Sequence, residues 1–153
     1  MSLYCFMAGL FVLKRAASFA IIKEMEREVP CVQMQTLLPD CSVRKLQPVN
    51  ADIEKIYAMA SQNMLFYQYH PPFVTWQSIL EDMSALPPGK TRADKFYIGF
   101  FDGAALAAVV DMILAYPNET TGYIGFFMVD KSRQGQGTGS RYRKYYAQQW
   151  YVS

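Results

Sequence analysis

Histidine and cysteine are scarce in this sequence, which holds one histidine, His70, and three cysteines among 153 residues. The cysteines all lie within the first 41 residues, are odd in number and show no C-x-x-C spacing. A disulfide framework and a zinc site are therefore not expected, and one histidine excludes any site that needs two histidine ligands. We predict a cytoplasmic protein without a metal.

The sequence also lacks an excess of charge of one sign and an apolar run long enough to cross a bilayer. Fifteen Lys and Arg against thirteen Asp and Glu give a net charge of +2, so no global field indicates a nucleic-acid partner. The apolar run from Tyr4 to Leu13 is far shorter than the ~20 residues of a membrane-spanning helix, and we expect no stable membrane insertion. The 52% of hydrophobic residues is typical of one folded domain with a core.

We interpret residues 1–41 as an N-terminal extension. Its apolar residues can form a helix up to Glu28, and Pro30 would end it. Met25 or Met34 is an alternative start of the natural protein. A weak interfacial anchor is a second interpretation of residues 1–22, although the apolar residues form no amphipathic face.

From residue 42 onwards, local signals consistently predict the elements of one domain over 42–153. The predicted elements are a strand over Ser42–Leu46, a helix over Ala51–Ala60, a loop over Ser61–Phe73, a helix to Met83, and strands over Phe96–Phe101, Leu106–Tyr116 and Gly122–Asp130. Asn50 and Thr75 are the predicted helix caps. The predicted buried faces are Ile53, Ile56, Tyr57 and Ala60 on the first helix, and Trp76, Ile79, Leu80 and Met83 on the second. This order predicts an α+β fold with a mostly antiparallel sheet flanked by helices.

A glycine-rich loop follows the last predicted strand. It has glycines at positions 135, 137 and 139, which allow tight turns and bring bare amides close to a ligand. If a helix begins at Thr138 or Gly139, its first amides are unpaired, and phosphate is their natural ligand. The spacing fits neither a P-loop nor the dinucleotide fingerprint G-x-G-x-x-G. Five basic residues and no acidic ones come after Asp130: Lys131, Arg133, Arg141, Arg143 and Lys144. They can form a basic rim for phosphates or a solvated tail.

The loop resembles the acyl-CoA pyrophosphate loop of the GNAT N-acetyltransferases, Arg/Gln-x-x-Gly-x-Gly/Ala after an apolar strand. Here it reads Gln134-Gly-Gln-Gly137-Thr-Gly139 after Y-I-G-F-F-M-V-D. The segment from Val43 to Tyr57 resembles the first strand and helix of that family. The resemblance covers about residues 42–140.

The resemblance implies a GNAT-like fold, acetyl-CoA as co-substrate, and an amine acceptor, either a small molecule or a peptide, that attacks the thioester directly. It implies that the backbone of Phe127, Met128 and Val129 pairs with pantetheine. It also implies that the loop amides hold the pyrophosphate; these are the amides of Gln134, Gly135, Gln136, Gly137, Thr138, Gly139 and Ser140.

The chain departs from the family after Ser140, where the remaining strands and helix of the fold are expected. The composition there changes abruptly to Tyr, Arg and Gln, which suggests a truncation or a frameshift and an incomplete C-terminal half. The edge of the last strand would then be apolar and unpaired, and a second copy of the chain, as a homodimer, can cover it.

Two residues are candidates for acid–base catalysis. Asp111 lies among apolar residues in a predicted strand, so it is either a structural carboxylate with a partner or a general base that reaches the cleft. His70 lies between the two predicted helices and is either a base, a substrate contact or an ordinary loop histidine. Tyr67, Tyr69 and Phe73 can line an acceptor pocket or pack.

Two functions follow from these observations. The first is an N-acetyltransferase that uses acetyl-CoA and an unidentified amine. The second is a catalytically impaired remnant that binds CoA weakly or acts only through self-association.

Overall fold

The computed structural model describes residues 13–14, 41–119 and 121–142 of the chain. Within these residues, five strands form one antiparallel sheet in the order β1-β5-β4-β3-β2. The strands are β1 (Leu13–Lys14), β2 (Cys41–Lys45), β3 (Lys95–Asp102), β4 (Ala105–Leu114) and β5 (Thr121–Val129). The predicted α+β fold with an antiparallel sheet is confirmed.

The β3–β4 hairpin forms the centre of the sheet. Its turn contains Gly103 at a φ of 56°, a left-handed conformation that favours glycine and explains the Asp-Gly signal in the sequence. Both strands are buried on both faces: helices cover one face, and the side chains of the other belong to a second core cluster in which Tyr142 stacks on Phe100. The near-continuous apolar sequence of these two strands follows from this double burial.

Three helices precede the hairpin: α1 (Asn50–Ala60), α2 (Met64–Tyr69) and α3 (Trp76–Ser84). Helix α1 buries Ile53, Ile56 and Ala60 as predicted, but Met59 is buried in the place predicted for Tyr57, which is only half-buried. These side chains belong to one core cluster with Val109 and Met128 of the sheet. The helices and the sheet therefore share an apolar core on this face.

The predicted cap of α1 is wrong. Val49, not Asn50, precedes the helix, and no side chain caps it. Asp52 in the first turn accepts hydrogen bonds from the backbone amide of Gln47 at 2.8 Å and from the guanidinium of Arg44, which anchors the helix start to β2. The ion pair with Arg44 lowers the pKa of the Asp52 carboxyl.

The predicted cap of α3 is confirmed. Thr75 accepts a hydrogen bond from the amide of Ser78, and the Ser78 hydroxyl accepts one from the amide of Thr75, which is a capping box. The predicted apolar face is correct for Ile79, whereas Trp76 is 43% exposed and contacts Tyr57 at a ring distance of 6.5 Å.

Two predictions about backbone conformation are wrong. The segment Ser61–Phe73 is not all loop, because α2 occupies its centre. Leu13–Lys14 forms a strand that pairs with Thr121–Gly122, where a helix was expected. Residues 1–12 and 15–40, with Cys5 and Cys31, and the tail beyond residue 142 lie outside the described residues, so the domain boundaries remain a prediction.

Candidate functional site

The glycine-rich loop begins directly after β5. Asp130 accepts a hydrogen bond from the amide of Ser132 at 2.9 Å and so starts a short helical turn over Lys131–Arg133. Gly135 and Gly137 then adopt φ angles of 76° and 75°, and a helix begins at residue 138. This conformation explains why glycine occurs at positions 135 and 137, because a side chain would strain a left-handed backbone.

Within the described residues, the backbone amides of residues 135–140 donate no well-formed hydrogen bond to a carbonyl, and residues 134–137 form turns. The first amide of the following helix with a backbone acceptor is that of Arg141, which donates to the carbonyl of Gly137 at 3.1 Å. The amide of Gln134 donates to the carbonyl of Lys131 at 3.4 Å, so it differs from the other predicted loop amides. The loop thus presents a run of unpaired donors, as an anion site requires.

Two side chains of the loop, those of Gln134 and Arg133, hold it in place. The Gln134 amide group donates to the carbonyl of Val129 at 2.9 Å and to the side-chain oxygen of Asn63, which directly precedes α2, at 2.6 Å. Arg133 forms an ion pair with Asp102 of β3 at 2.7 Å. Neither Asn63 nor Asp102 was predictable as a partner from the sequence, because each lies far from the loop in the chain.

The backbone of β5 before the loop offers a further edge for binding. Within the described residues, β1 pairs only with Thr121–Gly122 on this edge. Phe127 and Val129 lie half-buried on one face, and Met128 is buried on the other with α1. The loop closes over this strand at Gly139, where an added Cβ would lie 3.7 Å from both Phe127 and Val129.

Asp111 forms a buried ion pair. Its carboxylate lies 2.9 Å from the Lys95 ammonium group, which also donates to the carbonyl of Ala85 at 2.8 Å. Burial raises the pKa of Asp111, Lys95 opposes this effect, and the charge of Asp82 adds to it. The second carboxylate oxygen of Asp111 is buried without a hydrogen-bond partner within the described residues. The structure therefore provides the partner that a buried carboxylate needs.

A bulge lies beside this carboxylate. The register of β4 against β5 shifts between Asp111 and Met112, which leaves Gly125 as the extra residue of β5. A Cβ on Gly125 would lie 3.1 Å from an oxygen of Asp111, so glycine gives the carboxylate its space.

His70 lines a cavity of about 230 Å³ between the three helices and the sheet. Its apolar walls come from Ile56, Ala60, Phe66, Val74, Ile79 and Phe126, and its polar groups from Tyr67, Ser78, Asp82 and Tyr97. The Nδ1 atom of His70 is buried without a hydrogen-bond partner within the described residues. Of the residues suggested for an acceptor pocket, Tyr67 lines this cavity, whereas Tyr69 is 66% exposed and does not.

The described part of the chain contains no group of three or more His, Cys, Asp and Glu side chains that could hold a metal ion. Its helices are also too short or too polar to cross a membrane.

The sequence matches no protein-family model and none of the curated proteins. Among solved structures, the chain is similar to an acetyltransferase from Thermus thermophilus. The two share 17% identity and superpose with a TM-score of 0.56, over 71% of this chain and 68% of the other. At this identity the comparison establishes a fold like that of an acetyltransferase, in agreement with the fold that the sequence resemblance implies.

Proposed function

We propose that this chain is a GNAT-type N-acetyltransferase that uses acetyl-CoA to acetylate an amine. The observation that carries the proposal is the run of unpaired amides at residues 135–140, placed directly after β5 in a fold shared with an acetyltransferase.

The residues of the loop fit a diphosphate. Gly135 and Gly137 provide a left-handed backbone without a side chain in the way, and added Cβ atoms there would meet nothing within 4 Å. Lys131 and Arg141 are exposed beside the loop and add positive charge, whereas Arg133 is paired with Asp102. The Gln134 side chain supports the loop through Asn63 and Val129. The backbone of Phe127, Met128 and Val129 is the proposed contact for the pantetheine arm.

Acetyl-CoA supplies an activated thioester. In the proposed transfer, the acetyl carbon leaves sulfur and bonds to the amine nitrogen, while the nitrogen gives up one proton and the sulfur takes one. His70 is the proposed proton acceptor, because its unpartnered Nδ1 belongs to a residue that lines the cavity. Asp111 is assigned a structural role through its ion pair with Lys95.

The test uses the purified full chain. We expect a calorimetric titration with acetyl-CoA to show saturable binding, and a panel of amines to cause release of free thiol. His70→Gln is expected to lower kcat while acetyl-CoA affinity stays unchanged, because the substitution removes the base and leaves the loop intact.

Two outcomes would argue against the proposed function. No binding of acetyl-CoA at ~1 mM, the upper end of common substrate affinities, would contradict the proposal. Binding without thiol release for any amine would favour a remnant that holds CoA but no longer transfers the acetyl group. Sedimentation of the same sample reports whether the chain self-associates.

A further inference from the structure

The size of the cavity beneath α1, α2 and α3 limits what it can hold. Its volume is about 230 Å³. A dry cavity of ~150 Å³ lined by apolar side chains is large enough for benzene. The space therefore accommodates one ring with a short chain, and a larger body would extend out through its open side.

The shape of the walls suits a flat, apolar group. Phe66 stacks on His70 with ring centres 4.7 Å apart and planes 14° apart, and its edge meets Phe126 at 5.9 Å. All three residues line the cavity. Aromatic rings prefer such stacked and edge-to-face contacts, so another ring gains from packing against these side chains.

The charge at the cavity comes from one carboxylate without a partner. Asp82 lines the cavity, is exposed as a residue, and has no hydrogen-bond or ion-pair partner within the described residues. The nearby wall still withdraws its carboxyl from water, and this burial raises its pKa, while the charge of Lys95 opposes the effect without forming an ion pair. An acid that is partly desolvated beside an apolar wall is stabilised by a cation.

The sheet adds no free positive charge beneath this carboxylate. Tyr97, Asp111 and Phe126 form one cross-strand row on the helix-facing side, and the two outer members line the cavity. Lys95 is engaged by Asp111 and Ala85. Asp82 and Asp111 are acidic and Lys95 is basic, so these three side chains together carry one negative charge. Burial holds the pKa of Tyr67 at about 12, so this phenol stays neutral.

We infer that this cavity binds a compact monoamine, a single apolar ring on a short chain, with its ammonium group held by the carboxylate of Asp82. The role of this ligand as the acetyl acceptor rests on the proposed function, whereas its binding does not.

The experiment measures binding of three probes of similar size to the full chain. These are 2-phenylethylamine, the neutral 2-phenylethanol and the anionic 3-phenylpropionate, each titrated with and without saturating CoA. A fourth probe, 2-(1-naphthyl)ethylamine, tests the size limit. The variants are Asp82→Asn and, as a matched control, Glu81→Gln, since Glu81 is an exposed acid of the same helix whose carboxylate accepts a bond from Gln77. Circular dichroism confirms that both variants are folded.

We expect 2-phenylethylamine to bind roughly tenfold or more tightly than the alcohol, as a charge-assisted contact provides. Asp82→Asn is expected to remove this difference and Glu81→Gln to keep it, and the naphthyl amine is expected to bind more weakly. Equal binding of amine and alcohol, no binding of either, or equal effects of the two variants overturns the inference.

Failure of this inference can be distinguished from failure of the proposed function. If acetyl-CoA binds and the amine does not, the cavity assignment is wrong and the proposed function stands. If the amine binds through Asp82 and acetyl-CoA does not bind, the proposed function is wrong and the cavity assignment stands.

Discussion

Replacement of Gly137 by alanine tests whether the left-handed loop backbone is what binds the diphosphate. Gly137 has a φ of 75°, and an added Cβ would meet nothing within 4 Å, so the only cost is backbone strain. For a residue other than glycine, this strain is about 1–2 kcal/mol. If the loop of the free variant relaxes and must return to the left-handed conformation to bind, the same free energy lowers the affinity for acetyl-CoA about 5- to 30-fold.

Gly89 provides the matched control. It lies in the turn after α3 with a φ of 79°, and it too has open space around the position of a Cβ. Gly89→Ala therefore introduces the same strain outside the loop. Urea denaturation is expected to show a loss of stability in Gly89→Ala. Calorimetry is expected to show unchanged affinity for acetyl-CoA in Gly89→Ala and lower affinity in Gly137→Ala. Wild-type affinity in Gly137→Ala, or equal losses of affinity in both variants, would refute the reasoning.

Three further substitutions test the ion pairs and the support of the loop. Asp52→Asn is expected to lower the free energy of unfolding by about 1–2 kcal/mol at pH 7, because it removes a charge-assisted pair whose arginine is partly exposed. Since the pKa of Asp52 is lowered by folding, this stabilisation is present above the ordinary carboxyl pKa and is lost as the pH falls through the folded value. Denaturation of both proteins over a pH series should therefore show a difference that is full at pH 7 and shrinks as the pH falls below the ordinary carboxyl pKa, and a difference independent of pH argues against the pair. Lys95→Met is expected to lower the free energy of unfolding by about 3–5 kcal/mol, because it leaves the Asp111 carboxylate buried and unpaired. The double variant with Asp111→Asn should regain part of this stability. A double variant whose loss of stability equals the sum of the two single losses contradicts a coupled pair. Asn63→Ala removes the hydrogen-bond acceptor of Gln134 and is expected to weaken acetyl-CoA binding by a few-fold in calorimetry. Unchanged affinity would show that this contact does not position the loop.

The sheet and two of the helices were predictable because their signals are local. Apolar runs between turn residues indicate the strands, and the Thr75 cap and the Asp102-Gly103 turn depend on residues adjacent in the sequence. Helix α2 was missed because its six residues include four aromatic or amide side chains and no side-chain cap. Its ordering depends on tertiary contacts such as that between Phe66 and Phe126.

The parts of the site that the sequence could not reveal are all long-range. The contact of Asn63 with Gln134 joins residues 71 positions apart, and Lys95 meets Asp111 across two strands. The loop glycines were recognisable because their conformation is a local demand on the backbone. The cavity, in contrast, arises from how three helices pack on a sheet, and neither its volume nor the isolation of Asp82 is encoded in any short pattern.

The most direct measurement of the central claim is the NMR response of the loop amides to acetyl-CoA. The glycine amides at 135, 137 and 139 would be followed in ¹⁵N spectra during a titration of the full chain, with Gly89 as an internal reference. We predict that the three loop amides shift and saturate together while the reference stays in place. Saturable binding of acetyl-CoA that leaves these three amides unmoved would contradict the assignment of the loop as the diphosphate site.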